Sequence, residues 1–277
     1  MDSALWGADT SLARQYYAEL IECPSSSIHD LRIAFELALV QQDSASATDL
    51  FQRCIIQGWT IQWLAEQTPG LRPPYKQSWI ASMMDRYPTL LRDSFSVLDT
   101  ALMGELDAMA KEDQEVRLEP ACQNPDETRN DFCPAIQAVD SAHDLRLRAY
   151  ILRNGLPDPH KLGLSVGSFH LLLLHLTYTR AGVGAWKFYQ PILLKGVQEG
   201  TFPPGTYAML FDVHQELVLG QPTLYGMIIR YDEQAGRPRI QPILDPKGVD
   251  QRRAAINLPP LSHWAREMDV LLPAGYP

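Results

Sequence analysis

Two histidines, His170 and His175, lie inside the most apolar run of the chain, Leu164–Tyr178. At about 100° of rotation per residue they point roughly 140° apart on a helix, so they do not share one metal ion as an i,i+4 pair does. His175 alone reads either as a core histidine satisfied by a carbonyl or carboxylate, or as a base, because an imidazole suits proton transfer near neutral pH. Upstream, Asp113, Gln114 and Arg117 span one helical turn. Asp113 and Arg117, four apart, can pair as a helix-end ion pair. Alternatively, Arg117 anchors an anionic group beside His175 and Asp212, since a guanidinium forks onto a carboxylate or phosphate. Asp212 follows an apolar run and precedes His214 by two residues, which suits an acid–base partner or a structural hydrogen bond to the segment that follows. Tyr225 stands beside Gly226, where the missing side chain lets a backbone or ligand come close. The candidate catalytic pair is therefore His175 and Asp212, and the candidate ligand-binding set is Asp113, Gln114, Arg117 and Tyr225, with no metal site. Asp245-Pro246 and Arg253 read as a local structural clamp.

The elements that position these residues are mostly helical. Apolar periodicity and capping residues predict helices over 11–22, 28–42, 45–57, 60–66, 75–86, 90–114, 135–154, 186–199, 206–219 and 250–257, with a last one ending at Met268. Leu164–Tyr178 has no polar stripe and reads as a helix buried on all sides. At about 15 residues it falls short of the roughly 20 that a bilayer span needs. The Gly-rich AGVGA that follows it, at 181–185, reads as a linker. The one β signal is a hairpin from 222–231 and 239–243 around a polar, Gly-containing loop. The expected organisation is a bundle-like helical N-terminal region, 1–90, then a helical domain, 91–277, carrying that hairpin. The fold class is mostly α.

The 45% hydrophobic and 21% charged content is that of an ordinary globular protein, and the net charge of −9 argues against a nucleic-acid partner. No basic, apolar leader opens the chain, and no run reaches membrane-span length, so a cytoplasmic location and no membrane partner are expected. Four cysteines show neither a CxxC pair nor zinc spacing. Cys23 and Cys54 read as buried thiols. Cys122 and Cys133 flank a polar loop and can meet, but a reducing compartment opposes a stable bridge. There is no P-loop, no GxGxxG after a strand and no GxSxG, so no cofactor is expected.

The segment Met109-Ala-Lys-Glu-Asp-Gln-Glu-Val-Arg117 matches the pattern M-A-x-x-D-Q-x-x-R, and Asp140 then precedes a helix ending in Asn154-Gly155-Leu156-Pro157. Gly163, His175, Gln190-Pro-Ile-Leu-Leu, Asp212, Gly220-Gln221-Pro222, Tyr225-Gly226, Asp245-Pro246, Val249-Asp250 and Arg252-Arg253 follow in order. In that order and spacing, the stretch from about Leu98 to Glu267 resembles a bacterial family catalogued as domain of unknown function 6624. The family's pattern has Gln where this chain has Leu174, Trp where it has Leu156, Asp-Arg where it has Asp212-Val213, and Tyr-Gly-Thr-Gln where it has Tyr225-Gly226-Met227-Ile228. The resemblance carries no established activity.

Two functions remain open from the residues. One is a pocket of Arg117, His175, Asp212 and Tyr225 for a small anionic ligand, with hydrolase-like acid–base chemistry. The other is a non-catalytic interaction module, an inhibitor or immunity-type partner of a basic protein. Convergence of the four residues favours the first, and an exposed apolar patch favours the second.

Overall fold

The computed structural model describes residues 28–56, 79, 81–83, 85–123, 133–178 and 182–277. The helices expected over 11–22 and 60–66, and half of that over 75–86, lie outside them. The chain divides into two units: residues 1–104 with 157–166, and residues 105–156 with 167–277. The division thus falls inside a helix, at Gly104, where the sequence placed it near residue 90. The chain is mostly helical, with one two-stranded antiparallel sheet.

In the first unit, α1 (Ile28–Val40) and α2 (Ser44–Ile56) form an antiparallel pair. Leu31, Ala34, Phe35, Ala38 and Leu39 on α1 face Ala47, Leu50, Phe51, Cys54 and Ile55 on α2, both at helical i, i+3, i+4 spacing. Gln42 turns the chain in the left-handed region, and Asp43 caps α2 by accepting from the Ser46 N–H at 3.1 Å. Trp79 stands edge-on to Phe35 and Phe51, at 5.2 and 5.5 Å between ring centres. The helix expected over 90–114 is two helices, α3 (Tyr87–Ser96) and α4 (Thr100–Leu118). Asp99 makes the break, because its carboxylate accepts from the Leu102 N–H and starts a new helix.

The second unit continues α4 through a short 3-10 turn, Pro120–Cys122, and resumes with α5 (Pro134–Asn154). Between Gly155 and α7, in segment 157–166 of the first unit, lie the single turn α6 (Pro159–Leu162) and a 3-10 turn, Gly163–Ser165. Helix α7 (Val166–Tyr178) buries Phe169, Leu172, Leu173 and Leu176, but Leu164 before it is 70% exposed, so burial is not complete along the run. Helix α8 (Gly182–Gln198) begins inside the Gly-rich stretch expected to be a linker, and α9 (Pro204–Val213) passes into a π-helical turn, His214–Val218. The hairpin is shorter than expected: β1 (Ile229–Asp232) pairs with β2 (Arg237–Ile240), Ile229 opposite Ile240. Asp212 takes the N–H groups of Leu224, Tyr225 and Met227, which keeps that loop out of the sheet, and Thr223 makes only an isolated bridge to Ile243. Two short helices, α10 (Val249–Ala254) and α11 (Leu261–Glu267), close the chain over a small core of Ile240, Ile243, Val249, Leu261 and Ala265.

Gly226 lies in the loop that Asp212 holds, at φ +75°, and a Cβ there would come within 2.7 Å of Ile243 and 2.9 Å of Leu261. Both the left-handed backbone and the missing space require glycine. Gly226→Ala is expected to cost more than about 1 kcal/mol of stability in urea unfolding. An unchanged midpoint would show that this loop is not fixed as described.

Candidate functional site

Helices α4, α5 and α7 of the second unit bring five side chains together. Asp113 sits on the inner face of α4, one turn after Met109 and Ala110, and is buried with them. One of its carboxylate oxygens accepts from Arg117 Nη1 at 2.7 Å, and the other lies 2.6 Å from His175 Nδ1 and 2.8 Å from the Gln114 amide nitrogen that donates to it. Arg117 reaches onward with Nη2 to Asp140 of α5 at 2.8 Å. One guanidinium therefore bridges two buried carboxylates, and α7 joins through the histidine. Beside them, His143 of α5 lies one turn beyond Asp140, and its Nε2 meets Glu112 of α4 at 3.1 Å, joining a buried ring to a half-solvated carboxylate.

The two aspartates differ in their hold on a proton. Burial disfavours the charge of Asp113, but the hydrogen bond and charge of His175, the charge of Arg117 and the bond from Gln114 outweigh it, and the carboxyl is held below its usual range. At Asp140 burial prevails over the bond and charge of Arg117, with the negative Asp113 adding to it, and the carboxyl is pushed above its usual range. Asp140 also has the poorer coordination: its Oδ2 is buried with no hydrogen-bond partner among the described residues, as is Nδ1 of His143.

Asp212 and Tyr225 belong to a different hydrogen-bonded group. Asp212 is fully buried, and its carboxylate accepts from the backbone N–H groups of Leu224, Tyr225 and Met227 at 2.7 to 3.0 Å. Burial raises its proton affinity against the pull of those bonds. The Tyr225 carbonyl accepts from Arg253 Nη1 at 2.7 Å, and Arg253 Nε donates to the Pro259 carbonyl. The Tyr225 ring packs edge-on to Phe211 and Tyr207, and burial pushes its phenol up to about 12. Arg253 thus clamps two backbone segments, and the neighbouring Arg252 ties Leu224, Leu244 and Asp245 by their carbonyls. By hydrogen bonding, the four residues expected to line one pocket divide between an acid–base cluster and a loop clamp.

His170, the other histidine of α7, stands edge-on to Phe202 at 5.5 Å, and burial lowers its proton affinity to about 4. No group of three or more metal-ligating side chains occurs among the described residues. Sequence reasoning missed His143, whose only local signal is its place one turn after Asp140. Cys122 and Cys133 form a disulfide, against the expectation drawn from a reducing compartment: their Cα atoms are 5.3 Å apart where α4 and α5 come together. No family model, curated protein or solved structure matches the chain.

The opposite shifts of the two aspartates give opposite pH signatures. The depressed Asp113 stabilises the fold above the ordinary carboxylate range, and that contribution is lost as pH falls through its folded value. The raised Asp140 contributes fully below its unfolded value, and that contribution is lost as pH rises through its folded value. Asp113→Asn is therefore expected to cost about 3–5 kcal/mol near neutral pH and less in acid. Asp140→Asn is expected to cost less near neutral pH than in acid. Urea unfolding of both variants across pH checks this, and parallel pH curves would contradict it.

Proposed function

We propose that the α4–α5–α7 cluster is an acid–base site with hydrolase-like chemistry, in which His175 takes or gives a proton and Asp113 orients it. The observation that carries this reading is the 2.6 Å contact between His175 Nδ1 and a buried, ionised Asp113. A carboxylate there favours the tautomer with the proton on Nδ1, which puts the imidazole lone pair on Nε2. Arg117 acts as the brace of the carboxylates rather than as a ligand anchor, since its charge is divided between Asp113 and Asp140. With two carboxylates to one guanidinium among the described residues, the site suits an uncharged acyl substrate better than the anion suggested by Arg117 alone. The five residues that meet here or support the meeting (Asp113, Gln114, Arg117, Asp140 and His175) all belong to the pattern resembling domain of unknown function 6624, and the proposed kinship rests on that coincidence.

The test is hydrolysis of p-nitrophenyl acetate, an uncharged activated ester, by the full chain. His175→Gln is expected to lower the rate at least about tenfold, within the range that acid–base groups supply, with the fold retained by circular dichroism. A wild-type rate equal to that of folded His175→Gln would overturn the reading.

A second reading, an interaction module, is supported by α5. Leu145 and Leu152, seven residues apart and so on one face of the helix, are 70% and 74% exposed, with Ala142 and Ala149 exposed on the same face. Arg153 and Arg146, the latter paired with Glu105 at 3.1 Å, border that face. No helix among the described residues is long and apolar enough to cross a membrane.

A further inference from the structure

The disulfide occupies a position that no part of the acid–base chemistry uses, yet it lies on the same two helices. Cys122 ends the turn after α4, and Cys133 is the residue before α5. Arg117 is five residues back along α4 and Asp140 seven residues along α5, and these two make the 2.8 Å pair that joins the helices. The bridge is part of a small apolar cluster in which Cys122 packs with Val116 and Ile136, against Cys133, Ala135 and Val139. The start of α5 carries no side-chain cap, and its first residue, Pro134, brings no N–H to the first turn. Asp140 is also weakly held, since its second oxygen has no partner among the described residues. If the first two turns of α5 loosen, the Arg117–Asp140 bond loosens with them.

We propose that the Cys122–Cys133 bridge is a redox lock on the Arg117–Asp140 pair, and through it on the acid–base cluster. The lock rests on the reading of that cluster as a functional site. Opening takes two electrons from a dithiol reductant. Its thiolate attacks Sγ of Cys133, the less buried of the two residues, and the S–S bond breaks as a mixed disulfide forms and Cys122 leaves as thiolate. The second reductant thiol then displaces Cys133, leaving a cyclic oxidised reductant and two cysteines that take up the dithiol's two protons. Where the compartment is reducing, such a bond is transient and responsive rather than permanent.

Hydrogen exchange of the full chain, read by mass spectrometry before and after dithiothreitol, tests the lock. On reduction, peptides covering 113–118 and 134–140 are expected to exchange at least about tenfold faster, while α2 peptides, 44–56, keep their rate. A variant carrying Cys122→Ser and Cys133→Ser is expected to match the reduced wild type and to ignore dithiothreitol. The lock is overturned if both cysteines alkylate without reductant, if exchange is unchanged after verified reduction, or if α2 loses protection too, which would make the bridge a general staple. Exchange needs no substrate, so a normal exchange response with no ester hydrolysis would overturn the acid–base reading and leave the lock standing.

Discussion

The guanidinium of Arg117, held between two buried carboxylates, is the interaction on which the second unit's centre depends. Three charges taken out of water cost several kcal/mol each, and only close, well-formed contacts return that cost. Here the contacts are 2.7 and 2.8 Å, and Asp113 gains a third partner in His175 at 2.6 Å. Since α4 and α5 carry the three charges and α7 supplies His175, a shift of any of the three helices breaks a contact to Arg117 or Asp113. The apolar layers fix which faces meet, and the ion pairs fix the register at which they meet.

The same device recurs in the loop before β1, with backbone in place of a second charge. Asp212 gathers three N–H groups of the loop before β1, and Arg253 gathers the carbonyls of Tyr225 and Pro259. An irregular loop has no ladder to satisfy its polar groups, and buried polar groups without partners are costly. One carboxylate and one guanidinium supply what a sheet would have supplied. This accounts for a buried aspartate and a buried arginine without assigning either to chemistry.

The helices, and the pairing of Asp113 with Arg117, were readable because both depend on spacing within about one turn. The partners of that pair were not, since His175 is 62 residues from Asp113 and Asp140 is 23 from Arg117, and no local periodicity reports such contacts. The break at 97–99 was hidden because apolar positions continue on both sides and only Asp99 signals a new start. Residues 222–228 have the composition of a strand, but Asp212, well upstream, captures their N–H groups first. Cys122 and Cys133 were recognised as able to meet, and an assumption about compartment, rather than any feature of the residues, argued the bridge away.

The most direct measurement is a double-mutant cycle on Asp113→Asn and His175→Gln, followed by urea unfolding near neutral pH. If the 2.6 Å contact is the centre of the cluster, the two losses are coupled by at least about 1 kcal/mol, within the range found for residues in one network. Losses that simply add would mean that Asp113 and His175 are independently packed, and the account of the cluster as one unit would not stand.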